Sequence, residues 1–412
     1  MSAATDTPAS VLVARSRPVH HTGDLLDLLP NSRHVCSWVR DGQGLVGWGE
    51  VLRVHTVGPA RAGDAAAWWS QHCATATVLD EVGVRGSGLV AFTSMAFADS
   101  PGESVLLVPR VVAGRRGEVT WVTEIGPREV DDVEPVSAPV GLRYSADAHP
   151  ALQWRSAVRA AVDRIRAGEL AKVVLARDLL AEAEHSIDPR FVLRNLASRY
   201  PQCWSFAVDG LVGATPELLV RRDGRRVSSR VLAGTTWPRD GVGEQQLAAA
   251  LLRSAKDRDE HAYAVESLVA ALRKVCTQVQ VGAVEVLHLR NVTHLSTTVT
   301  GELTEAGTDV LALAGVLHPT AAVGGTPTEA AVALIDELEQ MDRGRYAGPV
   351  GWVDAHGDGE LGLALRSAEL RGSRARLFAG CGIVAGSDPD EELAETDAKF
   401  VAVRDALEGV TG

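Results

Sequence analysis

The chain has 412 residues, 46% hydrophobic and 23% charged, so it can bury a large core, and 41 Lys and Arg against 53 Asp and Glu leave it at −12. That balance gains nothing from the counterion release that drives nucleic-acid binding, and no apolar run is long enough for a membrane span. An anionic small molecule would need local basic groups or a metal ion to offset the general field.

The five cysteines (Cys36, Cys73, Cys203, Cys276, Cys381) are scattered and odd in number, which argues against zinc and against a disulfide framework. The first twenty residues lack the hydrophobic block of a secretory signal, and the expectation is a soluble, cytoplasmic protein.

Residues 1–140 carry short β-like runs, VLVA (11–14), HVCSWVR (34–40), SVLLVPRVVA (104–113) and VTWVTEI (119–125), with no chemistry-bearing cluster among them. EVDDVEPVSAP (129–139) reads as a connector. Next, Val158, Ala161, Val162 and Ile165 recur at helical spacing until Gly168, and KVVLAR (172–177) is a β-branched strand. FVLRNLASRY (191–200) is an amphipathic helix ended by Pro201. Three strands follow, CWSFAV, LVGATPELLV and RRVSSRVLAG, the last two joined by an Asp223-Gly224 turn.

A helix of about twenty residues starts near Lys256, strands lie around 283–302, and another helix follows Thr326-Pro327. Three strands (349–355, 360–370, 374–384) and a last helix from about Asp390 to Leu407 complete the chain. Tight turns between strands, with helices between groups, predict an α+β (α/β) class with large, mainly antiparallel sheets covered by helices.

Several residues in this frame could do chemistry. In the last helix, Glu392, Glu395 and Lys399 fall within about 60° of one face, apart from the apolar stripe of Leu393, Phe400, Val403 and Leu407. KDRDEH places Asp257 and Glu260 three apart on the other helix. Each group is open to two readings: a solvated, charge-complemented helix face, or one half of a site for a hard dication that keeps waters and is completed by substrate oxygens.

Lys172 heads an apolar strand, where a lysine is either solvated or a general base in a desolvated pocket. Glu217 lies in the apolar run LVGATPELLV, and an apolar wall raises a carboxyl pKa until it can donate a proton near neutrality. A base and an acid from neighbouring strands suit addition at one carbon with expulsion at another. Arg366 in LALRSAEL alternates with apolar residues along a strand and is either a surface arginine or a bidentate carboxylate clamp. Glycine clusters at LAGT, AVGGTP and FAGCGIV let a ligand approach backbone N–H groups, and GGTP lacks the ending of a nucleotide-binding P-loop.

KVVLAR, GATPELL, LAGT, KDRDEH, LHPTAAVGGTP, DRGRYAGPVGW, LRSAEL, FAGCGIV and EELAETDAK occur in this order over roughly residues 150–408. Together they resemble the chorismate-utilising enzymes, and within that family the isochorismate synthases most. The resemblance implies one α/β unit of two large antiparallel sheets packed together with helices outside. Residues 1–140 would be its variable N-terminal part and 150–408 the chorismate-binding catalytic region.

It further implies that Lys172 activates water to attack chorismate at C2 and that Glu217 protonates the departing C4 hydroxyl. Glu260 and Glu395 would hold a magnesium ion, with Asp257 and Glu392 close by or acting through water. Gly234 and Thr235 of LAGT, together with Tyr346, Arg366, Gly380, Gly382 and Lys399, would bind the substrate.

Within the family, Ala233 stands where aminodeoxychorismate synthases commonly carry a nucleophilic lysine, and Ala322 where salicylate and anthranilate synthases typically have threonine. The implied activity is hydroxyl exchange without a pyruvate-releasing step. It would feed menaquinone, to which YAGPVGW leans, or siderophores and salicylate. LAGTTWPR departs from the family's LAGTRPR by Thr236-Trp237 and one added residue. A catalytically silent chorismate binder is the reading from another class. No motif speaks to oligomeric state.

Overall fold

The computed structural model describes residues 12–127, 129–146, 151–237, 243–290 and 292–410. Among them the strands form two sheets, one of thirteen strands and one of ten, with helices packed on their outer faces. All strand pairings are antiparallel except Val13–Pro18 with Thr77–Asp80, as the turn-rich sequence predicts. Both sheets mix strands from the two ends of the chain: Cys36–Arg40 pairs with Trp204–Val208 in the larger, and Val90–Ser94 with Pro349–Asp354 in the smaller. Trp38, Trp352, Phe92 and Leu45, all essentially inaccessible, fill the space between the sheets.

The second-half helices that the sequence predicts form where expected because caps and apolar stripes agree, and Glu244–Arg253 adds one that was not expected. Ala255–Leu272 starts at Ser254, whose hydroxyl accepts from the Asp257 amide. Pro389–Glu408 starts at Asp388, capped on the Asp390 and Glu391 amides, and stops at Gly409, whose φ of 65° a side chain would resist. Residues 129–140 form no regular element, in keeping with a connector. Among the described residues no helix is long and apolar enough to cross a membrane, and all five cysteines are free thiols.

Two expected strands are each broken in two, and both breaks matter for the site. LVGATPELLV forms Leu211–Thr215 in the larger sheet and Leu218–Asp223 in the smaller, so Pro216 and Glu217 lie at the crossing between sheets. The stretch 360–370 forms Gly359–Leu363 in the smaller sheet and Ser367–Arg371 in the larger. Arg366 therefore does not alternate along a strand; it sits in the crossing with φ 50°. The two crossings touch: the Leu363 amide donates to the Glu217 carbonyl at 3.2 Å, and a side chain at Gly362 would meet that oxygen at 2.7 Å.

Some elements carried too little pattern to be foreseen. Helix Arg61–Thr75 has only a weak apolar stripe, Val310–Leu317 is apolar all round, and SVLLVPRVVA is two strands parted at Pro109.

Candidate active site

The sheet crossings open onto a cavity lined by Glu217, Thr235, Glu260, Tyr346, Arg366 and Lys399, with the Gly380 and Gly382 backbone along one wall. Lys172 starts strand Lys172–Glu182, which pairs along its length with Arg374–Ile383. Its side chain is fully buried, and its Nζ lies 3.2 Å from Glu260 Oε1. Gly382 makes this possible: an added Cβ would stand 2.3 Å from Glu260 Oε1 and 2.9 Å from Lys172 Cε. The lysine is thus neither solvated nor remote from the cavity.

Glu217 is 4% exposed, and burial pushes its carboxyl up to about 8. The Leu232 amide and the charges of Lys172, Arg230 and Lys399 pull the other way without overcoming the desolvation. A carboxyl raised to about 8 is mostly protonated at neutral pH, the state that proton donation to a leaving group requires.

Arg366 is buried and points into the cavity from its crossing. One guanidinium nitrogen contacts His294 Nε2 at 3.0 Å, while Nη1 has no hydrogen-bond partner. His294 Nδ1 in turn lies 3.1 Å from the Thr235 hydroxyl. A guanidinium cannot accept, so Nε2 accepts and Nδ1 carries the proton. Burial and the charges of Arg366 and Lys399 hold His294 well below the usual imidazole range, in agreement with a neutral ring. The buried, unpartnered Nη1 is suited to a carboxylate oxygen. Tyr346 stacks on Phe378 at 5.0 Å and walls the same space.

The carboxylate groups of the two helices converge. Glu260 pairs with Lys172, Glu395 with Lys399 at 2.5 Å, and Glu392 with Lys256 at 2.9 Å. Lys399 also donates to the Gly380 carbonyl at 2.8 Å. Burial raises Glu395, Lys399 offsets part of that, and the neighbouring charges of Glu392 and Glu260 raise it further. Burial would lower Lys256 and Lys399, but the acids beside them win and raise both. The acidic face of Pro389–Glu408 is therefore not solvated: Glu392 is 1% exposed.

Among the described residues no three acidic, His or Cys side chains form a ready-made metal cluster. Two or three mutually repelling carboxylates beside a ligand cavity still match what magnesium asks of a protein, which is few ligands and room for substrate oxygens and water.

Of the residues singled out in the sequence, Lys172, Gly234, Asp257, Glu392 and Glu395 stand behind the cavity rather than on it. Gly234 (φ 75°) forms a bulge where a Cβ would meet the Asp257 carbonyl at 2.9 Å. Asp257 accepts from the Thr235 amide at 3.1 Å, and so ties its helix to that bulge. The LAGTTWPR departure is only partly visible: Thr236 ends the strand and Trp237 follows half-buried, while Pro238 and Arg239 lie outside the described residues. His294, Arg230, Lys256 and the pair Glu339–Arg343 were not anticipated. A histidine within the alternating strand THLSTTVTGEL was the available signal for the first.

A family model described as "chorismate binding enzyme" matches residues 127–408. "Isochorismate synthase DhbC" of Bacillus subtilis is 40% identical over 298 residues, 69% of this chain and 74% of that protein. "Putative isochorismate synthase MenF" of Mycobacterium tuberculosis is 42% identical over 322 residues, 74% and 82% of the two chains. Among solved structures, the menaquinone-specific isochorismate synthase MenF of Escherichia coli superposes with a TM-score of 0.80 at 25% identity, covering 96% of this chain and 94% of that one. A putative 2,3-dihydroxybenzoate-specific isochorismate synthase of Bacillus anthracis does so with 0.78 at 31% identity, over 93% and 98%. The ordered motifs, the paired sheets and these matches agree, and the chain belongs to the chorismate-binding enzyme family.

Proposed function

We propose that this protein is an isochorismate synthase, exchanging the C4 hydroxyl of chorismate for a hydroxyl at C2. The observation that carries this is Glu217 on the cavity wall, buried so that its carboxyl is pushed up to about 8, with the charge of the buried Lys172 amine acting on it. Lys172 takes a proton from water as its oxygen bonds to C2. The ring double bonds shift, and the C4–O bond breaks as Glu217 gives its proton to the departing hydroxyl, which leaves as water. Arg366, with its free Nη1, and Lys399 hold carboxylate groups of the substrate, and Tyr346 packs against its ring.

Glu260 and Glu395, with Glu392 and Asp257 near them, would hold magnesium, which when bound supplies positive charge for a substrate carboxylate. Ala322 lies on the cavity wall with only a methyl group to offer, which supports exchange without pyruvate release. Menaquinone is the favoured destination, from YAGPVGW and the menaquinone-type relatives; siderophore or salicylate synthesis is the second reading, favoured by the DhbC relative.

Purified protein with chorismate and magnesium should yield isochorismate and no pyruvate. Lys172→Ala should lose at least about a hundredfold in turnover while staying folded. Pyruvate release, or undiminished turnover in Lys172→Ala, would refute the reading. Restored menaquinone in a strain lacking its isochorismate synthase, without restored siderophore production, would assign the pathway.

A further inference from the structure

A second hollow, of about 420 Å³, opens between the two sheets and shares no lining residue with the catalytic cavity. Trp38, Arg40, Arg116 and Trp204 come to it from the larger sheet, and Arg221, Trp352 and Glu360 from the smaller. Glu360 is 5% exposed, accepts from the Trp38 indole at 2.9 Å, and pairs with both Arg85 and Arg221. That buried carboxylate is already taken.

Arg40 lies over the Trp204 ring at 4.5 Å, and Arg116 donates to the Arg85 carbonyl at 3.3 Å. Among the described residues neither has a carboxylate within ion-pair distance. Arg230 stands behind the lining, its guanidinium 4.8 Å over the same Trp204 ring and hydrogen-bonded to the Pro216 carbonyl. Burial lowers all three, and the charges of their arginine neighbours add to that; Arg230 comes down to about 10. The exposed Asp41 at the mouth and Asp223 beyond Arg116 offset this only slightly.

Four guanidinium groups, those of Arg85, Arg221, Arg40 and Arg116, thus face one buried carboxylate in a chain whose net charge is −12. The repulsion is unfavourable unless an anion enters, and two forks, those of Arg40 and Arg116, are free to grip one.

We propose that the hollow between the sheets at Arg40 and Arg116 is a binding site for a small doubly charged oxyanion, either a phosphate ester or a compact dicarboxylate. A monocarboxylate would engage only one of the two forks and bind weakly. The site has a physical link to the catalytic acid. Arg40 and Arg230 repel one another across Trp204, and Arg230 holds the carbonyl of Pro216, the residue before Glu217. An anion on Arg40 relieves that repulsion and changes the field that Glu217 feels. This link, unlike the binding, rests on Glu217 being the acid.

Calorimetric titration of the intact protein with inorganic phosphate, malonate and acetate tests the site, with tryptophan fluorescence as a second readout because Trp38, Trp204 and Trp352 line it. Phosphate or malonate should bind saturably, and acetate should not. Arg40→Ala and Arg116→Ala should each weaken binding roughly tenfold. The exposed Arg374→Ala should leave it unchanged, with all variants checked for folding by thermal melts.

Binding by phosphate alone or by malonate alone supports the site and assigns the ligand type. The proposal fails if neither dianion saturates by about 10 mM. It also fails if binding is unaffected by Arg40→Ala and Arg116→Ala, or is lost only with Arg366→Lys in the catalytic cavity. A protein that does not turn over chorismate would leave the binding result intact. Dianion binding that leaves turnover unchanged in an active enzyme overturns the link alone.

Discussion

Replacing Glu217 with glutamine should leave the protein inactive yet more stable in alkali, a combination that a buried proton donor produces. The folded carboxyl holds its proton to about 8 against an ordinary value of 4.5, because burial outweighs the charges of Lys172, Arg230 and Lys399 that face it. Below 4.5 the carboxyl is neutral in both the folded and unfolded chain and contributes no difference. As pH rises from there, the unfolded chain releases its proton while the folded one keeps it, so folding is progressively disfavoured until about pH 8.

The full gap corresponds to at most about 5 kcal/mol. Glutamine does not titrate. The difference in unfolding midpoint between Glu217→Gln and the parent should therefore be small near pH 5 and grow in the variant's favour towards about pH 8.5, as read by thermal melts in matched buffers. In the same series the parent's turnover should fall above about pH 8, and the variant's should be lower by roughly a hundredfold to ten-thousandfold at every pH. A midpoint difference that does not change with pH, or a variant that keeps most of its turnover, would refute the assignment of Glu217 as a protonated acid.

Gly382→Ala should fold normally but lose at least about tenfold in kcat, since its Cβ strikes only the ends of the Glu260 and Lys172 side chains; a melt and a chorismate assay read the two effects. Arg366→Lys should raise the KM for chorismate roughly tenfold or more with a smaller effect on kcat, because the variant amine cannot serve His294 and a carboxylate in the same plane. Glu395→Gln should shift the magnesium activation curve to higher concentration by roughly tenfold or more, and chelation of the metal should silence the parent. An unshifted curve would remove Glu395 from the metal site.

The parts of this site that were legible in the sequence are those whose neighbours are close in the chain. Ser254, Asp257 and Glu260 lie within two turns of one helix, and Asp388 caps the helix that carries Glu392, Glu395 and Lys399, so helical period alone puts each group on one face. Period could not say that those faces are buried, because the cover comes from strand Arg374–Ile383 and from one another. Lys256 shows the same gap: the sequence marks it only as the start of a helix, and the fold brings it 2.9 Å from Glu392, 136 positions away. His294 and Arg366 are 72 positions apart and touch directly, and the other ring nitrogen of His294 meets Thr235 on a third segment. Contacts of that span leave no local trace. The broken strands were illegible for a related reason: LVGATPELLV and ELGLALRSAEL each run on as one mostly apolar, largely buried stretch, and such a run gives no sign of which sheet each half joins.

Those breaks explain why the chemistry sits where it does. Within a sheet every backbone N–H and C=O is taken by the ladder, and side chains pack without gaps; a carboxyl there would be dry but sealed from any ligand. On the outer surface it would be reachable but solvated, with no shift in its pKa. Where a chain leaves one sheet for the other, the ladder is interrupted, and a cavity can form that is still walled by the core. Two such crossings lie side by side here. One carries Glu217 and the other Arg366, and they are fastened together by the hydrogen bond from Leu363 to the Glu217 carbonyl. The acid is thereby held dry enough to keep its proton and close enough to the cavity to give it up, while the second break holds Arg366 on the same cavity with its Nη1 unpartnered. An activity assigned to this protein must use both conditions at once, and transfer of a hydroxyl across the ring of a dicarboxylate does.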